Sequence, residues 1–185
     1  MESTRLHADR ALLVVVDMQE KLLPAIPTRE GLVKTTILLL RAARALGLPI
    51  LATTQYSKGL GPTVPAIADE IPDFEPSDKV AFGCFGDPAF VERLNAHGSR
   101  RELLVCGVET HICVTQTVLE ALESGRAVHV VSDAVAARTE ENHRIGLARM
   151  ERAGAVLSSV EMAVYELLGR SDVPAFKSLL PLLKG

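Results

Sequence analysis

Residues Ala11 to Val16 form an unbroken apolar run that ends at Asp17, a pattern suited to a strand covered on both faces. Similar short strands are read at Pro49 to Thr54, Leu103 to Gly107, Val128 to Ser132 and, on a weaker pattern, Ala155 to Ser158. Helical patterns separate them. The first is predicted from an N-cap at Thr28 to Leu46, where Gly47 and Pro49 supply stop signals. Asp87 and Pro88 read as N-cap and first helical position of a helix reaching about Asn95. Further helices are predicted over Ile112 to Ser124, Glu140 to Ala153, Val160 to Leu168 and Pro174 to Leu183. Strands alternating with helices imply right-handed crossovers, hence a three-layer α/β/α fold with a mostly parallel central sheet. The stretch from Gln55 to Lys79 carries four prolines (Pro62, Pro65, Pro72, Pro76) and reads as a long irregular loop, a length usually reserved for function or disorder.

At 185 residues, 48% hydrophobic and 23% charged, the chain is expected to form one domain, residues 1–185, around a continuous core. A net charge of -3 with scattered Lys and Arg gives no electrostatic footprint for nucleic acid or an anionic membrane. No apolar run approaches the roughly 20 residues needed to span a bilayer. Met1 to Arg10 is polar and lacks the apolar centre of a signal peptide, so the expected location is the cytoplasm. The three cysteines, Cys84, Cys106 and Cys113, are an odd number, which favours reduced thiols over a disulfide framework.

Open parallel sheets place their ligand crevice beyond the carboxyl ends of the strands, where Asp17 falls. An Asp in that position serves equally well as a cap for the following turn. Cys113 lies in the first turn of its predicted helix, where free N–H groups and the positive dipole end favour a thiolate and can hold an oxyanion. Against this stands the ordinary buried core thiol. Lys79, by spacing alone, reads as a solvated surface charge.

Three motifs change that balance. Val16-Asp17-Met18-Gln19 closes the first strand, Lys79 precedes Phe82 and Phe85, and Gly107-Val108-Glu109-Thr110-His111-Ile112-Cys113-Val114 joins a strand to a helix. In that order, over roughly Ala11 to Leu168, they resemble the isochorismatase-like cysteine hydrolase superfamily. The stretch Thr53 to Pro65 is most similar to the subgroup of isochorismatase-domain proteins whose substrates are unassigned. The resemblance implies a catalytic triad of Asp17, Lys79 and Cys113, and a cis peptide between Val108 and Glu109. It also implies an oxyanion hole from the backbone N–H groups of Glu109 and Cys113. It further implies hydrolysis of an amide or related C–N bond in a small-molecule substrate through a thioester, with no cofactor, and assembly as a homo-oligomer.

The metal-dependent nicotinamidase branch carries histidines after its second strand, whereas this chain reads Gln55-Tyr56-Ser57 there and has no histidine between His7 and His97. No metal is therefore expected. True isochorismatases do not place a cysteine at the nucleophile position, so Cys113 points away from that reaction. Gln19, Tyr56, Phe82, Phe85 and His111 are the candidate substrate-pocket residues, with core packing equally open for the two phenylalanines. Asp133 is expected to cap a turn or pair with Arg138, Cys84 to lie near the site, and Thr110 and Thr117 to support the turn and helix. A catalytically idle oligomeric scaffold is the competing reading.

Overall fold

The computed structural model describes residues 5–183, the side chain of residue 182 excepted. Among the described residues six strands build one sheet: β1 (Ala11–Val16), β2 (Ile50–Gln55), β3 (Ser77–Lys79), β4 (Glu102–Val108), β5 (Ala127–Ala136) and β6 (Val156–Ser158). Their order is β3-β2-β1-β4-β5-β6, and all neighbouring pairs are parallel. The helices are α1 (Arg29–Ala45), the short α2 (Ser57–Leu60) and α3 (Pro65–Ala68), α4 (Pro88–Ala96), α5 (Thr115–Glu123), α6 (Glu140–Arg152), α7 (Val160–Leu168) and α8 (Pro174–Leu183). This is the expected three-layer arrangement.

The two faces of β1 show how the run at Ala11 works. Ala11, Leu13 and Val15 pack in one core cluster with α1 and α7, while Leu12, Val14 and Val16 pack in the other with α4 and α5. A strand covered on both sides needs apolar residues at every position rather than at alternate ones. Caps close the helices as their sequences suggest. Asp87 accepts a hydrogen bond from the Phe90 N–H, Thr139 from Asn142 and Ser159 from Met162. Thr28 precedes α1 but makes no side-chain cap bond.

Three expectations are corrected. The stretch from Gln55 to Lys79 is not a bare loop: α2 and α3 lie inside it and it ends in β3. β3 carries no strand signal in the sequence because Ser-Asp-Lys has no apolar alternation; its register against β2 pairs Thr53 with Ser77 and Gln55 with Lys79. β5 runs four residues beyond Ser132, because a register shift between Val105 and Gly107 lets its second half continue along β4 to Ala136. The helix predicted from Ile112 is two pieces, a π-helical turn over Thr110–Val114 and α5 proper from Thr115.

Strand order reverses between β1 and β4, so the chain leaves these neighbouring strands in opposite directions. In open α/β sheets a crevice forms at such a point, outside the carboxyl ends. Gly107 sets how tightly β4 approaches there. Its φ is +114°, and a Cβ at this position would stand 2.0 Å from the Val16 carbonyl oxygen, so only glycine fits.

Candidate active site

Asp17 is the first residue beyond β1 and is fully buried. Its φ of +51° lies in the left-handed region, which costs a non-glycine residue roughly 1–2 kcal/mol. The surroundings hold it there. Its N–H donates to the Thr53 carbonyl, its Oδ1 accepts from the Thr53 hydroxyl at 2.8 Å, and its Oδ2 accepts from Lys79 Nζ at 2.7 Å.

Lys79 ends β3, and its side chain has no exposed surface. Burying an ammonium is tolerable only where its protons find acceptors and its charge a partner. All three protons do: Nζ donates to Asp17, to Gln55 Oε1 at 2.8 Å and to the Phe82 carbonyl at 3.0 Å. The surface-charge reading of Lys79 is thereby corrected. Gln55 is itself braced, its amide N–H donating to Gln19 Oε1 and its side-chain amide to the Val80 carbonyl.

Cys113 sits in the π-helical turn beyond β4, 7% exposed, with its thiol within hydrogen-bonding reach of the Asp17 carboxylate. Burial first, and the negative charge of Asp17 second, push this thiol up to about 12, while the Lys79 charge pulls it down. The expected resting thiolate is therefore corrected. α5 begins two residues after Cys113, and the desolvation of the sulfur outweighs whatever a helix end supplies. At rest the proton stays on sulfur, beside a carboxylate placed to take it.

The peptide between Val108 and Glu109 is cis. The Glu109 carboxylate accepts from the Arg138 N–H and Nε, both at 3.0 Å. Arg138 thus pairs with Glu109 rather than with Asp133, which instead accepts from the Val160 N–H at the start of α7. Thr110 and Thr117 support the turn as expected: Thr110 Oγ1 meets His143 Nδ1 at 2.9 Å, and the Thr117 hydroxyl bonds both the N–H and Sγ of Cys84. Cys84 is fully buried, near enough for its thiol to bear on Cys113, whereas Cys106 lies in the core of β4.

The other candidates are placed unequally. Gln19 is wholly buried, its side-chain amide donating to the Gln55 and Gly61 carbonyls, so it braces the β2 end. Tyr56 and Phe82 are about half exposed, with Tyr56 in a left-handed conformation and its N–H on the Lys79 carbonyl. Phe85 packs edge-on against Phe90 with the Arg126 guanidinium over its ring. His111 is half-buried, with a buried Nδ1 that has no partner among the described residues. Thr53 and Gln55 are two contributors beyond the expected set. Period-two alternation was the available signal, because it points both from β2 to one side, toward Asp17 and Lys79. Among the described residues no group of three or more His, Cys, Asp or Glu side chains is arranged to hold a metal ion, and no helix is long and apolar enough to cross a membrane.

The family model for the isochorismatase domain matches residues 11–162. Isochorismatase domain-containing protein 2 of Macaca fascicularis is 37% identical over 174 residues, which are 94% of this chain and 83% of that protein. A solved structure described as MAR1 ribonuclease from Caenorhabditis elegans superposes with a TM-score of 0.91 at 35% identity, covering 98% of this chain and 93% of that one. YcaC from Pseudomonas aeruginosa, solved with hexane-2,5-diol and covalent acrylamide, gives a TM-score of 0.90 at 28% identity and covers 98% and 93%. YcaC from Escherichia coli, described as an octameric hydrolase of unknown specificity, gives 0.90 at 27% identity and covers 98% and 92%.

Proposed function

The chain belongs to the isochorismatase family, and we propose that within it this protein is a cysteine hydrolase that cleaves a small amide or related C–N bond through a thioester. The observation that carries this reading is the fully buried Asp17–Lys79 pair at 2.7 Å with the Cys113 thiol against the same carboxylate. A scaffold gains nothing from burying an ion pair beside a thiol, because desolvating two charges costs several kcal/mol per ion before their attraction is counted.

In the proposed reaction Asp17 accepts the Cys113 proton as sulfur attacks the substrate carbonyl carbon, and the carbonyl π electrons move to oxygen. The backbone N–H groups of Glu109 and Cys113 donate to that oxyanion. As the carbonyl re-forms, the C–N bond breaks and Asp17 returns the proton to nitrogen, which leaves as ammonia or an amine. Water, deprotonated by Asp17, attacks the thioester; the acid departs and sulfur recovers its proton. Lys79, with every donor used, holds the Asp17 carboxylate in place through the sequence of transfers. No metal takes part, in keeping with Gln55-Tyr56-Ser57 where the metal-dependent branch has histidines.

Tyr56, Val80 and Phe82 stand exposed beside the buried Lys79, which favours an uncharged substrate. The relative described as a ribonuclease suggests RNA instead. A chain of net charge -3, whose Lys79 has no proton left for a phosphate, is poorly equipped for that. Covalent acrylamide on one YcaC and octameric assembly of another support a reactive nucleophile and a homo-oligomer here.

Release of ammonia or amine from a panel of small neutral amides and ureido compounds tests the reading. Turnover is expected in the parent protein, with a thioester on Cys113 seen by mass spectrometry, and loss in Cys113→Ala and Asp17→Asn. Turnover that survives in Cys113→Ala refutes it.

A further inference from the structure

A cavity of about 680 Å³ opens beyond the end of β5, between the first turns of α1 and α6. Its volume falls in the range of small-molecule sites, about 300–1,000 Å³. Leu32, Val135 and Ala136 give it an apolar wall, while Asp133, Glu140 and His143 supply polar groups. Asp17, Lys79 and Cys113 are not among the residues that line it.

The charge balance of this cavity is negative. Neither Asp133 nor Glu140 is in a salt bridge with an arginine or lysine among the described residues. Arg138, close in sequence to both, is spent on Glu109. Burial holds the His143 imidazole below its usual range, against the pull of Glu140, so it adds no positive charge at neutral pH. The N-termini of α1 and α6, and that of α7, whose Val160 N–H already donates to Asp133, contribute about half a unit of positive charge each, against a full negative charge on each of the two carboxylates, so the balance stays negative. An anionic ligand is disfavoured and a cationic one favoured.

We infer that this cavity is a binding site, separate from the Cys113 centre, for a small organic cation made of an apolar body and one protonated amine. The body packs on Leu32, Val135 and Ala136, and the ammonium group lies between Asp133 and Glu140. Gly31, also in the lining, offers a clean control: a Cβ there meets nothing within 4 Å, so Gly31→Leu fills the cavity without a backbone clash and removes a glycine from the first turn of α1.

Calorimetric titration of the 185-residue chain with 1-adamantylamine, 1-adamantanol and adamantane-1-carboxylate provides the test, since the three share one body and differ in charge. The amine is expected to saturate and to bind about tenfold more tightly than the alcohol, with no binding of the carboxylate. Glu140→Gln and Asp133→Asn should each weaken the amine several-fold and leave the alcohol unchanged. Gly31→Leu should abolish both without lowering the melting temperature. Protein alkylated at Cys113 should bind the amine unchanged. The inference fails if the amine binds no more tightly than the alcohol, if amine binding survives Gly31→Leu, if alkylation of Cys113 removes it, or if none of the three probes binds.

Discussion

Lys79 Nζ stands 2.7 Å from the Asp17 carboxylate with neither side chain exposed to solvent. The two residues lie 62 positions apart, Asp17 just beyond β1 and Lys79 at the end of β3, and the gap is bridged by Thr53 and Gln55 of the intervening β2. The pair is therefore held from both sides, and disturbing either member leaves the other charged and buried.

Removing one partner has a predictable cost. Lys79→Met should destabilise the protein by about 3–5 kcal/mol, because the Asp17 carboxylate then has no compensating charge. Pairing it with Asp17→Asn should recover a substantial part of that loss. Urea denaturation of the two single variants and the double variant measures the coupling.

Gly107 is the second point of vulnerability. Gly107→Ala forces a Cβ to 2.0 Å from the Val16 carbonyl oxygen at a φ of +114°, so β4 must shift away from β1 at the point where Asp17 and Cys113 face each other. A loss of about 3 kcal/mol or more is expected, with activity falling further than stability. Gly31→Ala, where the added carbon meets nothing, is the matched control.

Acid sensitivity should have a histidine component. Burial lowers the pKa of His129 in β5, against the raising effect of Glu166 and Glu102 and together with a smaller lowering effect of His7. The unfolded chain then binds this proton more readily than the folded one. Stability is fully present above the ordinary value near 6.5 and falls as pH drops from there toward the folded value. His129→Leu should flatten that part of the stability curve, as followed by thermal unfolding between pH 8 and 5.

The sheet was legible because β1, β2, β4 and much of β5 are runs that only a doubly covered strand explains, and the helix stops at Gly47, Gly125 and Gly154 bound the crossovers. β3 was not, since its three polar residues carry no periodicity. Asp17 and Cys113 stood out by position at strand ends. Lys79 did not, because nothing local distinguishes a lysine with three buried acceptors from one in water; only the resemblance singled it out. The Glu109–Arg138 pair and the protonation of Cys113 depend on distances across the fold and on burial, neither of which spacing reveals.

The most direct test is the rate at which acrylamide labels Cys113 as a function of pH, read by mass spectrometry in the parent, Asp17→Asn and Lys79→Met proteins. Asp17 raises the thiol and Lys79 lowers it, so the two substitutions should move the profile in opposite directions. The parent should titrate well above the ordinary thiol value of about 8.5; Asp17→Asn should lower that midpoint yet label more slowly near pH 8, because attack there depends on proton transfer to Asp17, and Lys79→Met should raise the midpoint and also label more slowly. A parent Cys113 that titrates like a free cysteine and is indifferent to both substitutions would contradict the triad and leave the idle-scaffold reading in its place.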